Sequence, residues 1–217
     1  MYNYEVIEKA YQVYTQKLQK EPKLIELENK AVATMDSIKQ KIAELPLEDE
    51  NCNIGFVHDY LFGEGPDAFA APMAIPLPGI ENNLTRIVRT VGGQKRLRNL
   101  FSLVHKERTV ELLKQIKRNS LQYYVHKTPD RFSPRPRLYS SRFELMLFND
   151  MFTTIAYFPA LIHKAQLVGI QTTSRRFEDI QYELRSCTDR YLEENHLSHT
   201  LTDFQKSALA WYIEEAS

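Results

Sequence analysis

Proline and glycine decide where this chain can be helical. Five of its ten prolines and four of its seven glycines fall between Pro46 and Gly79, and a stretch so rich in backbone breakers cannot hold a long helix. On either side the breakers are sparse and apolar residues recur at helical spacing. The expected fold class is therefore all-α: a multi-helix domain, an N-terminal helical hairpin or arm, and a Pro/Gly-rich connector. In residue numbers, 1–45 is the arm, 46–79 the connector and 80–217 the helical main domain. With 217 residues, 43% of them apolar, the chain is long enough to bury its own core.

Residues 3–19 put Ile7, Ala10 or Tyr11, Tyr14 and Leu18 on one face. Pro22 fits the first turn of a second helix, on which Leu24, Ala31, Met35, Ile38, Ile42 and Leu45 follow steps of three and four, with Glu28 as the polar intruder. Such a stripe packs on its own domain or offers a surface to a partner helix, so a partner or a second copy through residues 24–45 is an expectation. The connector that follows, apolar from Ala70 to Pro78, wraps over the core or docks on a partner.

Beyond it, Ile80–Val91 reads as a helix ended by Gly92-Gly93, and Gln94–Lys106 as an amphipathic helix. Leu97, Leu100, Phe101 and Val104 form its inner face, with Lys95, Arg96, Arg98, His105 and Lys106 outside. Residues 107–124 repeat the pattern, with Leu112, Leu113, Ile116, Tyr123 and Tyr124 set against Lys114, Lys117 and Arg118. Lys127–Ser140 is proline-broken and reads as a loop, after which Ser141-x-x-Glu144 has the spacing of a capping box. The run from Phe143 to Ile155 is apolar nearly all round and reads as a core helix that Pro159 restarts and Gly169 ends. Ser174 is placed to cap a helix carrying Phe177, Ile180, Leu184, Cys187 and Tyr191. A second capping box, Thr202-x-x-Gln205, opens a last helix with Phe204, Ala208, Trp211 and Tyr212.

Charge is distributed far less evenly than the formal net value of zero implies. Residues 86–142 hold fifteen Lys and Arg against three acids, and the flanks carry the compensating excess of Asp and Glu. Basic side chains gathered on helices and a loop build a positive potential, for which a polyphosphate backbone is the commonest ligand. The expected contacts are Arg86, Arg89, Lys95, Arg96, Arg98, Lys106, Lys114, Lys117, Arg118 and Lys127, with Arg131, Arg135 and Arg137 as a second clamp on the loop. Aromatics interleave with them at Tyr123-Tyr124 and at Phe132 and Tyr139. That pattern tilts the expectation toward single strands, because bases stack on rings while cations hold phosphates. The plain alternatives are a solvated face, a core use of the rings, or a basic surface that meets the protein's own acidic segments. A helix-turn-helix built on the Gly-Gly turn is disfavoured, because Lys95, Arg96 and Arg98 fall where inward-facing positions are needed.

Catalytic signals are thin, and the chain reads as a non-enzyme. His58-Asp59 is similar to the metal-binding pair of helical phosphohydrolases but no histidine precedes it, and Glu193-x-x-His196-x-x-His199 lacks the second motif of a bundle metal site. Arg98 with His105, and Arg190 with His196, are similar in spacing to the arginine–histidine pair of the all-helical HEPN ribonucleases. Fourteen arginines and six histidines produce about one such pair by chance. No Gly-rich phosphate loop, Gly-x-Ser-x-Gly or Cys-x-x-Cys is present, so no cofactor or metal is expected. Two distant cysteines, Cys52 and Cys187, fit a reducing compartment. The N-terminus lacks the features of a signal peptide, and the apolar run Leu145–Ile162 contains Asn149, Asp150 and Pro159, so a cytoplasmic protein without a membrane span is expected. The expected function is non-catalytic binding of nucleic acid, DNA or RNA, or membership of a nucleoprotein assembly. The alternatives are an adaptor or inhibitor docking an acidic protein, and a HEPN-like ribonuclease.

Overall fold

A computed structural model describes residues 2–56, 90–121 and 135–214, with residues 135–140 described by their backbone alone. The all-α expectation holds: among the described residues there are eight α-helices, two short 3₁₀ turns and no strand. The expected helix at 80–91 lies, except for its last residues, outside the described residues. So do the connector beyond Phe56 and the rings of Tyr123, Tyr124, Phe132 and Tyr139.

The N-terminal helical pair forms as its sequence requires. Helix α1 (Tyr4–Lys20) ends at Glu21, whose φ of −122° and ψ of 80° lie outside the α region, which a following proline disfavours. Pro22 then opens α2 (Pro22–Ala43), where its missing N–H costs nothing. The polar intruder Glu28 has a task. It is 7% exposed, it accepts the Tyr14 hydroxyl at 2.5 Å and it accepts Gln205 Nε2 at 3.0 Å. Tyr14 stacks on Tyr212 with ring centroids 4.6 Å apart, and the Lys17 ammonium lies 5.1 Å from the centroid of the Tyr212 ring. Met35, Ile38 and Ile42 of the stripe are buried within the chain, as is Ala31.

The chain separates into two compact units, Met1–Val32 with Phe148–Ser217, and Ala33–Leu147, so that α2 contributes to both. The first unit is organised around α7 (Phe177–Glu194), which packs against α1, α6 (Phe158–Leu167), α8 (Asp203–Leu209) and the 3₁₀ turns Ser198–Thr200 and Ala210–Tyr212. Ile180, Leu184, Cys187 and Tyr191 are buried, in the expected register. Ser174 is not its cap: it sits at φ 59°, and the helix begins at Phe177. Arg175 ties this entry turn together, donating to Gln171 O at 3.1 Å, to Asp179 O at 3.2 Å and to Glu183. Gly169 does end α6: at φ 88° it allows Gly169 N–H to reach Gln166 O and Ile170 N–H to reach Ala165 O, both at 2.9 Å, a Schellman closure. Both halves of the Thr202/Gln205 capping box are made. The buried residues of α8 are Ser207 and Leu209, with Ala210 and Ile213 beyond it, and of the residues expected on this helix Trp211 and Tyr212 lie in the 3₁₀ turn that follows. Ser207 Oγ is drawn inward to donate to Phe152 O at 2.7 Å.

That bond belongs to the largest departure from expectation. The apolar run is not one helix: α5 (Arg135–Leu147) stops, and Phe148–Tyr157 is irregular chain with Phe148, Met151, Phe152, Thr153 and Ile155 buried. Buried non-helical backbone needs partners, and α7 supplies them. Gln181 Oε1 accepts Thr153 N–H at 3.0 Å while its Nε2 donates to Ile155 O. Arg185, 1% exposed, donates to Asn149 O at 2.7 Å and to Asp189 Oδ1 at 2.8 Å. Thr154 N–H donates to Ser207 O at 3.0 Å.

In the second unit, α3 (Val91–Phe101) packs against α4 (Val110–Asn119). Phe101 stacks on Phe56 at 5.8 Å and meets the Phe143 edge at 6.1 Å between centroids. Helix α5 already begins at Arg135, so the expected loop to Ser140 ends earlier, Pro136 being harmless in a first turn. The Ser141/Glu144 capping box is therefore not formed. Both residues lie inside α5, and the buried Glu144 carboxylate accepts Ser120 Oγ at 3.1 Å and the Leu121 N–H.

Two predictions come from these contacts. Gln181→Met keeps volume but strands the Thr153 N–H and the Ile155 carbonyl, and urea unfolding should show a loss of about 2–3 kcal/mol. Burial pushes the Cys187 thiol from its ordinary 9.0 up to about 11. The folded chain then holds this proton more tightly than the unfolded one, so the contribution is intact below about pH 9 and is lost as pH rises through about 11. Cys187→Ala should flatten that part of the stability–pH curve by about 2–3 kcal/mol.

Candidate nucleic-acid interface

Between Thr90 and Leu121 the chain carries eight Lys and Arg against two Glu, and local helix chemistry arranges them. Thr90 is the N-cap of α3, its Oγ1 accepting Gly93 N–H at 3.2 Å. Gly92 and Gly93 thus lie in the first turn of α3 instead of ending a preceding helix, and a helix-turn-helix has no turn there. Thr109 caps α4 in the same way, accepting Leu112 N–H at 3.1 Å. In α3, Gly93, Leu97, Leu100 and Phe101 are buried. At about 100° per residue, Lys95 falls opposite that stripe, with Arg96 on one shoulder and Arg98 on the other. In α4 the buried stripe is Leu112, Leu113 and Ile116. Glu111, Lys114 and Arg118 share the outer crest.

The two shoulder arginines are engaged with backbone. Arg96 Nη1 donates to Arg118 O at 2.8 Å, satisfying a carbonyl that the end of α4 would leave open. Beside it, Asn99 Nδ2 donates to Asn119 Oδ1 at 2.9 Å. Arg98 Nη1 donates to Glu50 O at 3.0 Å and holds the segment after α2 on α3. Lys114 pairs with Glu111 at 3.2 Å, both side chains more than half exposed, so this contact contributes little to stability. Lys117 and Arg118 lie in the last turn of α4, where positive charge also suits the helix dipole.

The expected contacts therefore separate. Lys95, Lys106, Lys114 and Arg118 are exposed; Arg96, Arg98 and Lys117 are half-buried. Arg135 and Arg137 stand on the first turn of α5, on a helix and not on a loop. Arg86, Arg89, Lys127 and Arg131 lie outside the described residues. The backbone carbonyls that take Arg96 and Arg98 were invisible to the sequence reading, because contacts of 22 and 48 residues' separation leave no local pattern.

The catalytic alternatives gain nothing from the geometry. His58-Asp59 lies outside the described residues. Glu193, His196 and His199 are all exposed, and among the described residues no group of three His, Cys, Asp or Glu could hold a metal ion. Arg98 is turned to Glu50 O, and Arg190 lies near Tyr4. Both cysteines are buried and unpaired with each other. No helix among the described residues is long and apolar enough to cross a membrane. Comparison with protein-family models, curated proteins and solved structures finds no match, so function has to be read from this chain's own residues.

The different engagement of neighbouring cations is measurable. Arg96→Ala, which strands the Arg118 carbonyl, should cost about 1 kcal/mol in urea unfolding, whereas Lys95→Ala on the crest should stay within about 0.5 kcal/mol.

Proposed function

We propose that this protein is a non-catalytic polyanion binder whose ligand is the phosphate backbone of a nucleic acid, alone or within a nucleoprotein assembly. The observation that carries the reading is the crest of α3 and α4, where Lys95, Lys114 and Arg118 are exposed on two helices that pack together, with Lys106 in the turn between them. These four are the phosphate contacts. Arg96 and Arg98 act as supports, and α5 brings two further basic residues, Arg135 and Arg137, in its first turn. Contact with phosphates positions a backbone and does not read bases. Whether rings at Tyr123, Tyr124, Phe132 and Tyr139 add stacking decides between single and double strands.

The second reading is an adaptor that docks an acidic protein on the same crest. A partner helix along residues 24–45 has Ile25 and Leu27 of α2 as its apolar contacts, exposed to 39% and 65%, because Ala31, Met35, Ile38 and Ile42 of the regular stripe are already buried.

Labelled single- and double-stranded DNA and RNA titrated across a salt series separate the two. Four phosphates neutralised together predict a log–log slope of about −3 to −4. Lys95→Glu with Lys114→Glu and Arg118→Glu should weaken binding by more than about tenfold, since each contact reversed adds repulsion, with unfolding nearly unchanged. Absence of binding by the unaltered protein even at low salt would transfer the crest to an acidic protein.

A further inference from the structure

One polar side chain on the exposed side of α3 is held in a fixed orientation and still has hydrogen-bonding capacity to give. Asn99 is exposed and stands one turn after Lys95, a spacing that puts the two Cβ atoms about 5–6 Å apart. At about 100° per residue it falls about 40° from Lys95, toward Arg96. Its Nδ2 donates to Asn119 Oδ1 at 2.9 Å, and Asn119 Nδ2 donates to Gln115 O at 2.9 Å. This short chain of bonds has one direction. Gln115 O is a carbonyl and only accepts, so Asn119 turns Nδ2 to it and faces Asn99 with Oδ1, to which Asn99 offers Nδ2. Asn99 Oδ1 and the second hydrogen on its Nδ2 take no partner among the described residues. The residue before Asn119 is Arg118, whose carbonyl Arg96 holds at 2.8 Å. The open amide therefore lies beside two of the proposed phosphate contacts, Lys95 on its own helix and Arg118 at the end of α4.

We infer that Asn99 is the base-reading residue of this interface, with Asn119 as its positioning residue, and that its target is the N6–N7 edge of adenine. The inference rests on the phosphate-binding reading and adds its specificity. Asn99 Oδ1 accepts from the adenine N6 amine while the remaining Nδ2 hydrogen goes to N7, so both atoms of that edge are satisfied. Guanine presents two acceptors there, O6 and N7, and sets an oxygen against Oδ1. A loose asparagine has to be ordered when a ligand arrives, and Asn99 is ordered beforehand. Its two ends do not exchange, because the exchange would set its oxygen against Asn119 Oδ1. Phosphates held by Lys95 and Arg118 fix the register in which the edge is met. The edge is open in the major groove of a DNA duplex and on a single strand, and closed in the deep, narrow major groove of duplex RNA.

The test uses the full chain and labelled DNAs of equal length, each as a single strand and as a duplex, that carry adenine, 7-deazaadenine or guanine at the same spaced positions of one strand. The deaza base replaces N7 by C–H and leaves charge and Watson–Crick pairing alone. In the form bound more tightly, the unaltered protein should prefer adenine to guanine by about tenfold and to 7-deazaadenine by at least about threefold. Asn99→Ala should bring the three affinities within about twofold of one another, and Asn119→Ala should narrow the spread although it removes no base contact. Circular dichroism checks both variants for folding, and the deaza comparison on the unaltered protein needs no variant. Groove shape also separates adenine from guanine sequences, so the deaza base and Asn99→Ala decide. If the unaltered protein binds adenine and 7-deazaadenine DNA equally, or if Asn99→Ala keeps the preference, base reading by Asn99 is overturned and the phosphate-binding reading stands. If the unaltered protein binds none of these DNAs at the lowest salt, in either form, the phosphate-binding reading fails and takes this inference with it.

Discussion

The first compact unit depends on the hydrogen-bond supply of a buried segment that is not helical. From Phe148 to Tyr157 the chain threads through the core without an internal ladder, and each backbone group there must find a partner or carry a desolvation penalty. Gln181 and Arg185 answer from α7, one turn apart, and Ser207 answers from α8. The apolar side chains of the segment can be buried only because its polar backbone is satisfied. This explains why a helix otherwise lined with Ile180, Leu184 and Leu192 carries an amide and a guanidinium on its inner side. The arginine is held by Asp189 and two carbonyls, so its charge is compensated where it lies and does not add to any surface potential.

What the sequence revealed and what it hid follow from the range of the interactions concerned. Pro22, Gly169 and the Thr202/Gln205 pair act within a few residues, and the local rule is sufficient to place them. Glu28, Glu144 and Gln181 act on partners 14 to 177 residues away, and no spacing along the chain announces such a contact. Glu144 shows the cost of relying on the local rule alone. Its spacing from Ser141 satisfies the capping-box pattern, yet its carboxylate caps the chain at Ser120–Leu121, because both residues had already been taken into a helix that starts at Arg135. The run from Phe143 to Ile155 was legible as core and illegible as loop, since burial follows from composition whereas helix termination there depends on side chains contributed by α7 and α8.

The candidate interface divides along the same line. That residues 86–142 are basic is a matter of counting. Which of those charges face a ligand depends on where each side chain ends, and a long guanidinium can lie back along its helix to reach a carbonyl. Arg96 and Arg98 do this from opposite shoulders of α3, which leaves the crest to Lys95, Lys114 and Arg118. An ammonium is a hydrated point charge without the planar fork that grips a base edge in two places. Lys95 and Lys114 are such point charges, and with Arg96 and Arg98 turned to carbonyls Arg118 is the guanidinium that stays beside them on the crest.

Formal neutrality is then best understood as a balance between parts. The unit Ala33–Leu147 holds seventeen Lys and Arg against thirteen Asp and Glu, and the other unit eleven against fifteen. Local potential is therefore set by the exposed charges within about a Debye length of each surface and not by the total.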